Sequence, residues 1–305
     1  MTEAEKSEQT ERQESVFRSV REDFVVLTKA RLSILVVLTS VFGYFVATKG
    51  SDTFSWGMLF HLVLGTTLAA FGSAVFNQLM EVDADAKMRR TSDRPLPANR
   101  IPKPLAFIIG WLLCSFGLIH LGVKVDILSS GMAAATLLTY LFIYTPLKRV
   151  STFNTIVGGI SGALPPLIGW FAGKPDPWIS GGVFLFLLLF LWQMPHFAAI
   201  NWMYREEYKR GGFLMWSNDD ESGRRTARIA IGFSVLTLLL GALYPVWSPT
   251  IQGWGAIPCG LLGAVMLWLA IRFFRSGERA DARRLFFYTL LYLPLMMLAS
   301  YLAWN

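Results

Sequence analysis

Three polar side chains recur every four residues near the end of an apolar stretch, at Asn77, Glu81 and Asp85. Residues four apart on an α-helix lie on nearly the same face, so two carboxylates and an amide oxygen are expected to converge. Oxygen ligands of this kind suit Mg²⁺, which takes one or two carboxylates and completes its shell with water and phosphate oxygens. The spacing predicts a catalytic metal site. Asp83 points away from this face and is a candidate for a second metal or for orienting a base.

Arginines follow these acids directly, at Arg89, Arg90 and Arg94, and the last two are the candidate diphosphate ligands. Guanidinium groups match phosphate oxygens bidentately, so acids followed by arginines are typical of a site for magnesium and a diphosphate. Lys148 and Arg149, in a short loop between apolar runs, are further candidate diphosphate ligands. The alternative is that these bases only set the orientation of a membrane protein.

A second polar segment, residues 190–213, repeats the order of acids followed by bases more weakly. Glu206 and Glu207 are candidate metal ligands, and Glu207 is also a candidate catalytic residue. If one helix continues from Pro195, His196 and Glu207 point in nearly the same direction. His196 is a candidate to ligate a haem iron or to hold an acidic group of a substrate. A solvated run of charges is the alternative for the two glutamates.

Nine apolar runs long enough to cross a bilayer must position these residues. Their expected starts lie near Leu32, Phe54, Pro104, Ile127, Phe153, Trp178, Ile229, Thr250 and Leu285. The fold is therefore expected to be all-α, a polytopic membrane helix bundle. Residues 1–27 are expected to form a disordered cytosolic tail, and residues 28–305 one membrane domain. Cys114 and Cys259 each lie inside an apolar run, which excludes a disulfide framework.

The basic residues indicate the orientation of these spans. The formal net charge is +7, which in a soluble protein would suggest nucleic-acid binding. However, all but three of the 28 Lys and Arg residues fall in the gaps on one side, and only Lys49, Lys124 and Lys174 fall on the other. By the positive-inside rule, the amino terminus is expected in the cytoplasm and Asn305 outside. No nucleic-acid partner is expected.

The segment from Asn77 to Pro97 resembles the first signature of the UbiA-type intramembrane prenyltransferases. The segments TKARLSILVV (28–37), YTPLKRVSTFNTIVGGISGALPPLIGW (144–170) and LWQMPHFAAINWMYREEYKRGGF (191–213) are similar to further landmarks of that family. WQMPHF is typical of the branch that farnesylates haem. The resemblance runs from about Thr28 to the carboxyl end. Two positions depart from the family pattern: Glu81 replaces the commoner aspartate, and the second motif is less rich in aspartate.

The resemblance implies a UbiA-like fold in a bacterial inner membrane and a reaction in which haem B, farnesyl diphosphate and water give haem O and diphosphate. It places the first metal motif on Asn77, Glu81 and Asp85, with Asp83 between them, and the diphosphate arginines on Arg90 and Arg94. It represents the second motif by His196, Glu206 and Glu207. Mg²⁺ is the implied cofactor, and haem-copper oxidase assembly proteins are possible partners. Aromatic residues such as Phe76, Tyr140, Phe153 and Trp192 are expected to wall the prenyl cavity.

Two other functions fit parts of the sequence. A prenyltransferase acting on an aromatic quinone precursor would share the first motif but would not need WQMPHF. A polytopic transporter or assembly factor would need only the basic-flanked spans, but transporters usually keep ionisable groups near the bilayer midplane. Here the acids crowd the ends of the spans, which favours an interfacial enzyme.

Overall fold

The computed structural model describes residues 20–174, 180–248 and 250–305. Within these residues nine helical segments are long and apolar enough to cross a membrane, which confirms the predicted fold class. They are α1 (Ala30–Ala47), α2 (Trp56–Asp85), α3 (Lys103–Lys124), α4 (Ile127–Leu147), α5 (Asn154–Ala172), α6 (Ser180–Met203), α7 (Arg224–Trp247), α8 (Gly253–Ser276) and α9 (Arg279–Ala303). One predicted start, Trp178, lies outside the described residues.

We call the end of the bundle that carries residues 86–102, 148–153, 204–223 and 277–278 the basic end. At this end α2 finishes and α3 begins, α4 finishes and α5 begins, and α6 is followed by a short helix, Arg205–Arg210. Each predicted site residue from Asn77 to Glu207 lies near or in these connections. The alternation of the spans therefore brings both polar segments to one end of the bundle.

The helices approach one another through small residues. A Cβ atom on Gly43 of α1 would lie 1.9 Å from the carbonyl oxygen of Pro166, and one on Gly169 of α5 would lie 1.7 Å from that of Ser40. No side chain fits there, so these glycines allow direct backbone contact between α1 and α5, as is common in membrane bundles. Large apolar side chains such as Phe116 and Ile119 instead cover the outer surface. This distribution is that of a multi-pass membrane protein.

Two spans depart from regular helix where they border the interior. In α4, residues Thr139–Tyr144 form a π-helical turn, a feature often found at functional sites. In α5, the helix is interrupted at Leu164 by Pro165 and Pro166. The Pro165 carbonyl then accepts a hydrogen bond from the Ser40 hydroxyl, at 2.8 Å. This hydrogen bond connects α1 to the irregular part of α5 inside the bundle.

The boundary predicted at Thr28 needs correction. Residues 20–27 are helical, Leu27 is fully buried, and the Gln78 amide donates hydrogen bonds to the carbonyls of Val26 and Leu27. Asp23 also pairs with Arg100. The end of this segment therefore packs against α2. The remainder of the predicted tail, residues 1–19, lies outside the described residues.

Candidate active site

The first motif lies at the end of the longest span. Helix α2 has 30 residues and is therefore about 45 Å long, whereas the hydrocarbon layer is about 30 Å thick. Its last turns consequently reach the membrane interface. Asn77, Glu81 and Asp85 occupy one face of these turns and are 0%, 5% and 1% exposed. The structure therefore has one amide and two carboxylates buried in the last turns of α2, at the basic end.

Each of these three groups faces a cation from another part of the chain. The Lys29 ammonium donates a hydrogen bond to Oδ1 of Asn77. Lys148 Nζ lies 2.7 Å from Glu81 Oε1, and Arg94 Nη1 lies 2.6 Å from Asp85 Oδ2. The Asn77 amide also donates to the Thr145 hydroxyl, at 3.0 Å. Three basic side chains therefore surround two carboxylates.

The environments of the two lysines differ. Burial lowers the pKa of Lys29 to about 7, although the Glu81 carboxylate opposes this shift. Burial also disfavours the charged form of Lys148, but Tyr144 and Glu81 outweigh it and raise the pKa of this lysine above its usual value. Lys148 is thus held as a cation against Glu81. Among the described residues, Lys29 contacts the Asn77 amide and no carboxylate. This arrangement is suited to an additional anion.

The oxygen donors fit a magnesium ion that takes some of its ligands from the protein and the others from water and a substrate. Among the described residues, no three His, Cys, Asp or Glu side chains converge closely enough to hold a metal by themselves. Two carboxylates and one amide oxygen leave the rest of an octahedral shell to water and phosphate oxygens, which is how Mg²⁺ is usually bound. Asp83 is exposed and does not share this buried face, so the structure does not place it with the other three.

The second motif does not form a matching buried cluster. Glu206 is exposed, with 62% of its side chain accessible, and pairs with Arg205 at 3.2 Å. Glu207 lies closer to the first motif, because its Oε2 accepts a hydrogen bond from the Arg89 backbone amide at 2.9 Å. Its Oε1 lies 2.9 Å from Arg210 Nη1. Glu207 thus connects the two polar segments, whereas Glu206 faces solvent.

The expected common face of His196 and Glu207 is absent, because the helix does not continue between them. Helix α6 ends at Met203, Tyr204 has φ −116° and ψ 20°, and a separate helix begins at Arg205. His196 points instead to α9, where its Nδ1 lies 2.8 Å from the Thr289 hydroxyl. Its ring stacks against Trp192 and Phe286, with centroids 5.5 and 5.0 Å away.

The Thr289 hydroxyl determines the tautomer of His196. Its oxygen lies 2.6 Å from the Phe286 carbonyl, to which it donates its single proton. It must therefore accept the proton of His196 Nδ1, which leaves Nε2 with a lone pair. Within the described chain, Nε2 makes no hydrogen bond. A neutral imidazole oriented in this way can ligate a metal or accept a hydrogen bond.

An apolar cavity of about 370 Å³ lies inside the bundle, and Lys29 is one of its lining residues. Tyr140 and Tyr144 of α4 and Phe197 of α6 contribute its aromatic wall, and the remaining lining is mostly small or aliphatic. Along α4 the lining extends from Tyr144 to Ala133, a rise of about 16 Å. The cavity can therefore receive an extended apolar chain whose head lies near the charged groups.

Only one of the four expected wall residues, Tyr140, lines this cavity. Phe76 packs against Phe107 on the α3 side, Phe153 is 65% exposed, and the Trp192 indole donates a hydrogen bond to the Thr289 carbonyl at 2.7 Å. Which face of each helix turns inward depends on the packing of its neighbours, which the hydrophobic runs alone do not define.

The remaining predicted phosphate ligands lie around the mouth of the site. Arg90 is exposed, and its guanidinium lies 5.6 Å from the centre of the Tyr204 ring. Arg149 is also exposed. The loop that carries Lys148 is fastened in place, because the Lys148 carbonyl accepts a hydrogen bond from the Leu214 amide at 2.7 Å. Asn154 donates in turn to the Leu214 carbonyl at 2.6 Å.

The sequence patterns do not identify three residues that have contacts in these sites: Lys29, Thr145 and Thr289. In the sequence, Lys29 is only one of the bases that indicate the orientation of the spans. Its position directly before an apolar span, in the segment TKARL, is the signal that could have identified it. No local pattern marks Thr145 or Thr289, because each acts on a residue of a different helix.

The sequence of the chain matches a known protein family. The model of the UbiA prenyltransferase family matches residues 36–292. A protoheme IX farnesyltransferase of Opitutus terrae is 41% identical over 277 residues, which cover 90% of this chain and 92% of that protein.

Solved structures share the fold at low sequence identity. A structure described as digeranylgeranylglyceryl phosphate synthase has a TM-score of 0.76 at 16% identity and covers 92% of this chain and 97% of its own. A UbiA homologue from Archaeoglobus fulgidus, bound to DMAPP and Mg²⁺, has a TM-score of 0.63 at 13% identity over 91% of this chain and 98% of its own. The chain belongs to the UbiA prenyltransferase family.

Proposed function

We propose that this protein transfers the farnesyl group of farnesyl diphosphate to a vinyl group of haem B, with addition of water, and gives haem O and diphosphate. The observation that carries the proposal is the buried face of Asn77, Glu81 and Asp85, with a basic side chain on each group. One of these, Lys29, also lines an apolar cavity. The choice of acceptor is supported by the name of relatives such as the Opitutus terrae protein.

The charged groups of the basic end would bind the diphosphate. Asn77, Glu81 and Asp85 would hold Mg²⁺, which would supply positive charge to stabilise the leaving diphosphate. Arg94 and Lys148 now pair with the two carboxylates, and they would turn to the phosphate oxygens when the donor binds. Arg90 and Arg149, which are exposed, would contact its outer oxygens. Glu207 would hold the second polar segment against Arg89.

The reaction then follows from the separation of polar and apolar regions. The allylic carbon–oxygen bond breaks, and its electron pair leaves with the diphosphate, whose developing charge the basic side chains stabilise. The π electrons of the haem vinyl group form the new carbon–carbon bond to the farnesyl cation. Water adds to the remaining vinyl carbon and releases a proton. The apolar cavity keeps water from the cation before transfer, and the ring faces of Tyr140 and Tyr144 stabilise its positive charge.

His196 is the proposed haem-binding residue. Its Nε2 lone pair would contact the haem iron, and the Thr289 hydroxyl would maintain the required tautomer. An ionised acidic group of the haem would instead need a proton on Nε2. Thr289→Val has nearly the same shape but removes the acceptor of the Nδ1 proton. We expect weaker haem binding in this variant and a changed haem absorption spectrum if His196 is an iron ligand. An unchanged spectrum with equal or tighter binding would favour the acidic group, because Nε2 could then carry the proton that a carboxylate accepts.

We also propose that the basic end faces the cytoplasm of a bacterium, with the amino terminus on the same side and Asn305 outside. The partition of the lysines and arginines supports this orientation. Both substrates would then enter from the membrane or its cytoplasmic surface. The product would pass to proteins that assemble a haem-copper oxidase.

A comparison of acceptors tests the proposed function. Purified protein with Mg²⁺ and farnesyl diphosphate would be given haem B, hydroxybenzoate or dihydroxynaphthoate in parallel. We expect a farnesylated, hydroxylated haem as the product, identified by mass spectrometry, and its loss when the metal is chelated. Turnover of hydroxybenzoate or dihydroxynaphthoate without turnover of haem would refute the assignment, and no turnover with any acceptor would favour a transporter or assembly factor.

A further inference from the structure

A second pocket at the basic end lies between α6 and α9, outside the site described above. It has a volume of about 440 Å³, and its wall includes Met203, Tyr204, Phe286, Arg279 and Arg283. Aromatic and aliphatic groups thus line the pocket, and two guanidinium groups border it. This combination is typical of a site that packs against a flat apolar body and binds its acidic substituents.

Unlike Arg272 and Arg284, the two arginines have no acidic partner among the described residues. At the same turn, the buried carboxylate of Asp281 pairs with Arg284 at 2.5 Å and with Arg272 at 2.8 Å. Within the described ranges, neither Arg279 nor Arg283 forms an ion pair, and the one contact recorded for Arg283 is with the Phe287 ring at 5.4 Å. Two cations are therefore free to bind an anionic ligand.

The pocket lies between two parts of the proposed site. Phe286, which lines the pocket, stacks on the His196 ring. Tyr204, which also lines it, lies under the Arg90 guanidinium. A ligand in this pocket would therefore lie beside the haem-binding histidine on one side and beside an arginine of the diphosphate site on the other. Such a position suits the acceptor better than the prenyl chain, for which the deep cavity is available.

We propose that Arg279 and Arg283 bind the carboxylates of the acceptor, so that this pocket is a subsite for a dicarboxylate tetrapyrrole. The inference rests on the proposed function, since haem B carries two propionate groups and two vinyl groups. Guanidinium groups bind carboxylates bidentately. Fixing the propionates at the membrane surface would orient the opposite, vinyl-bearing edge of the ring into the protein.

The test compares Arg279→Gln/Arg283→Gln with Arg275→Gln, which removes the same kind of charge from the end of α8 without changing the pocket. We expect the KM for haem B of the double variant to rise about tenfold or more, because two charge-assisted hydrogen bonds are lost. The KM for farnesyl diphosphate should stay within twofold in both variants. A rise in the KM for farnesyl diphosphate instead would assign the arginines to the diphosphate and overturn the proposal.

Haem B dimethyl ester provides the second comparison, because its carboxylates are blocked. The wild-type protein should bind the ester about tenfold more weakly than the free acid, and the double variant should bind the two equally. A double variant that still discriminates like the wild type would overturn the proposal. The assays are run in neutral phosphatidylcholine vesicles and again with phosphatidylglycerol added. An effect of the variant only with phosphatidylglycerol would identify a lipid-headgroup site and would also overturn it.

Binding of haem B, measured by its absorption change without farnesyl diphosphate, separates this inference from the proposed function. If wild-type protein makes no farnesylated haem, the proposed function fails. If wild-type protein makes it and the double variant binds haem B equally well, only the carboxylate subsite is refuted.

Discussion

The two acidic motifs at the basic end are similar in composition but differ in depth. Glu81 and Asp85 are 5% and 1% exposed, whereas the side chains of Glu206 and Glu207 are 62% and 18% exposed. The first pair lies on a helix that continues unbroken from the membrane, and the second follows the break at Tyr204. A charge buried near others of opposite sign interacts strongly, and an exposed one is screened by solvent. The chemistry is therefore expected to depend mainly on the first motif.

The largest expected effect comes from removing a buried carboxylate of the first motif. Asp85→Ala should lower kcat at least about 10³-fold, because the site loses a metal ligand and a partner of Arg94. Asp83→Ala, two residues earlier but exposed, should stay within about twofold. Turnover is measured with farnesyl diphosphate and haem B, and folding by size-exclusion chromatography in detergent. Equal activity of both variants would contradict the difference in depth.

A second prediction concerns the pair formed by Lys148 and Glu81. Lys148→Met leaves a buried carboxylate without its partner, which we expect to destabilise the protein by about 3 kcal/mol. The double variant Lys148→Met/Glu81→Gln should recover most of this stability, because neither position is then left with an unpaired charge, but should remain inactive. Thermal unfolding in detergent checks the first effect and turnover the second. A double variant as unstable as the single one would show that the ion pair does not account for the loss.

A third prediction tests the apolar half of the first site. Ala133 lines the far end of the cavity from Tyr144, and Ala133→Phe should shorten the space available to the prenyl chain. We expect kcat/KM for farnesyl diphosphate to fall about 10²-fold through misplacement of the reacting carbon, and that for geranyl diphosphate to fall less. Leu138→Phe on the outer surface of the same helix is the control. An equal loss with both donors would indicate general distortion of the bundle.

The smallest effect separates the two glutamates of the second motif. Glu207→Gln weakens the connection to the Arg89 amide and should lower kcat/KM about tenfold, as is usual for groups that orient a site. Glu206→Gln should have no measurable effect, because its carboxylate faces solvent. The two variants are compared over a range of Mg²⁺ concentrations. A stronger magnesium requirement in Glu206→Gln than in Glu207→Gln would reverse the assignment.

The features that could be predicted from the sequence are those that depend on local geometry. The shared face of Asn77, Glu81 and Asp85 depends only on helical periodicity, and the nine spans depend only on apolar length. In contrast, the contact of Lys29 with Asn77 requires the segment before α1 to pack on α2, which no short-range pattern specifies. The expected alignment of His196 with Glu207 was wrong for a related reason, since the helix ends at Met203.

The partners of the first motif have a consequence for turnover. Lys148 and Arg94 neutralise Glu81 and Asp85, so both buried carboxylates of the motif have a cationic partner. If the same cations bind diphosphate, as proposed, the free energy of these pairs would be given up on binding and would return when diphosphate leaves. The pairs thus limit affinity for the product as well as for the donor. The ion pairs that stabilise such a site would therefore also favour rapid release of the product.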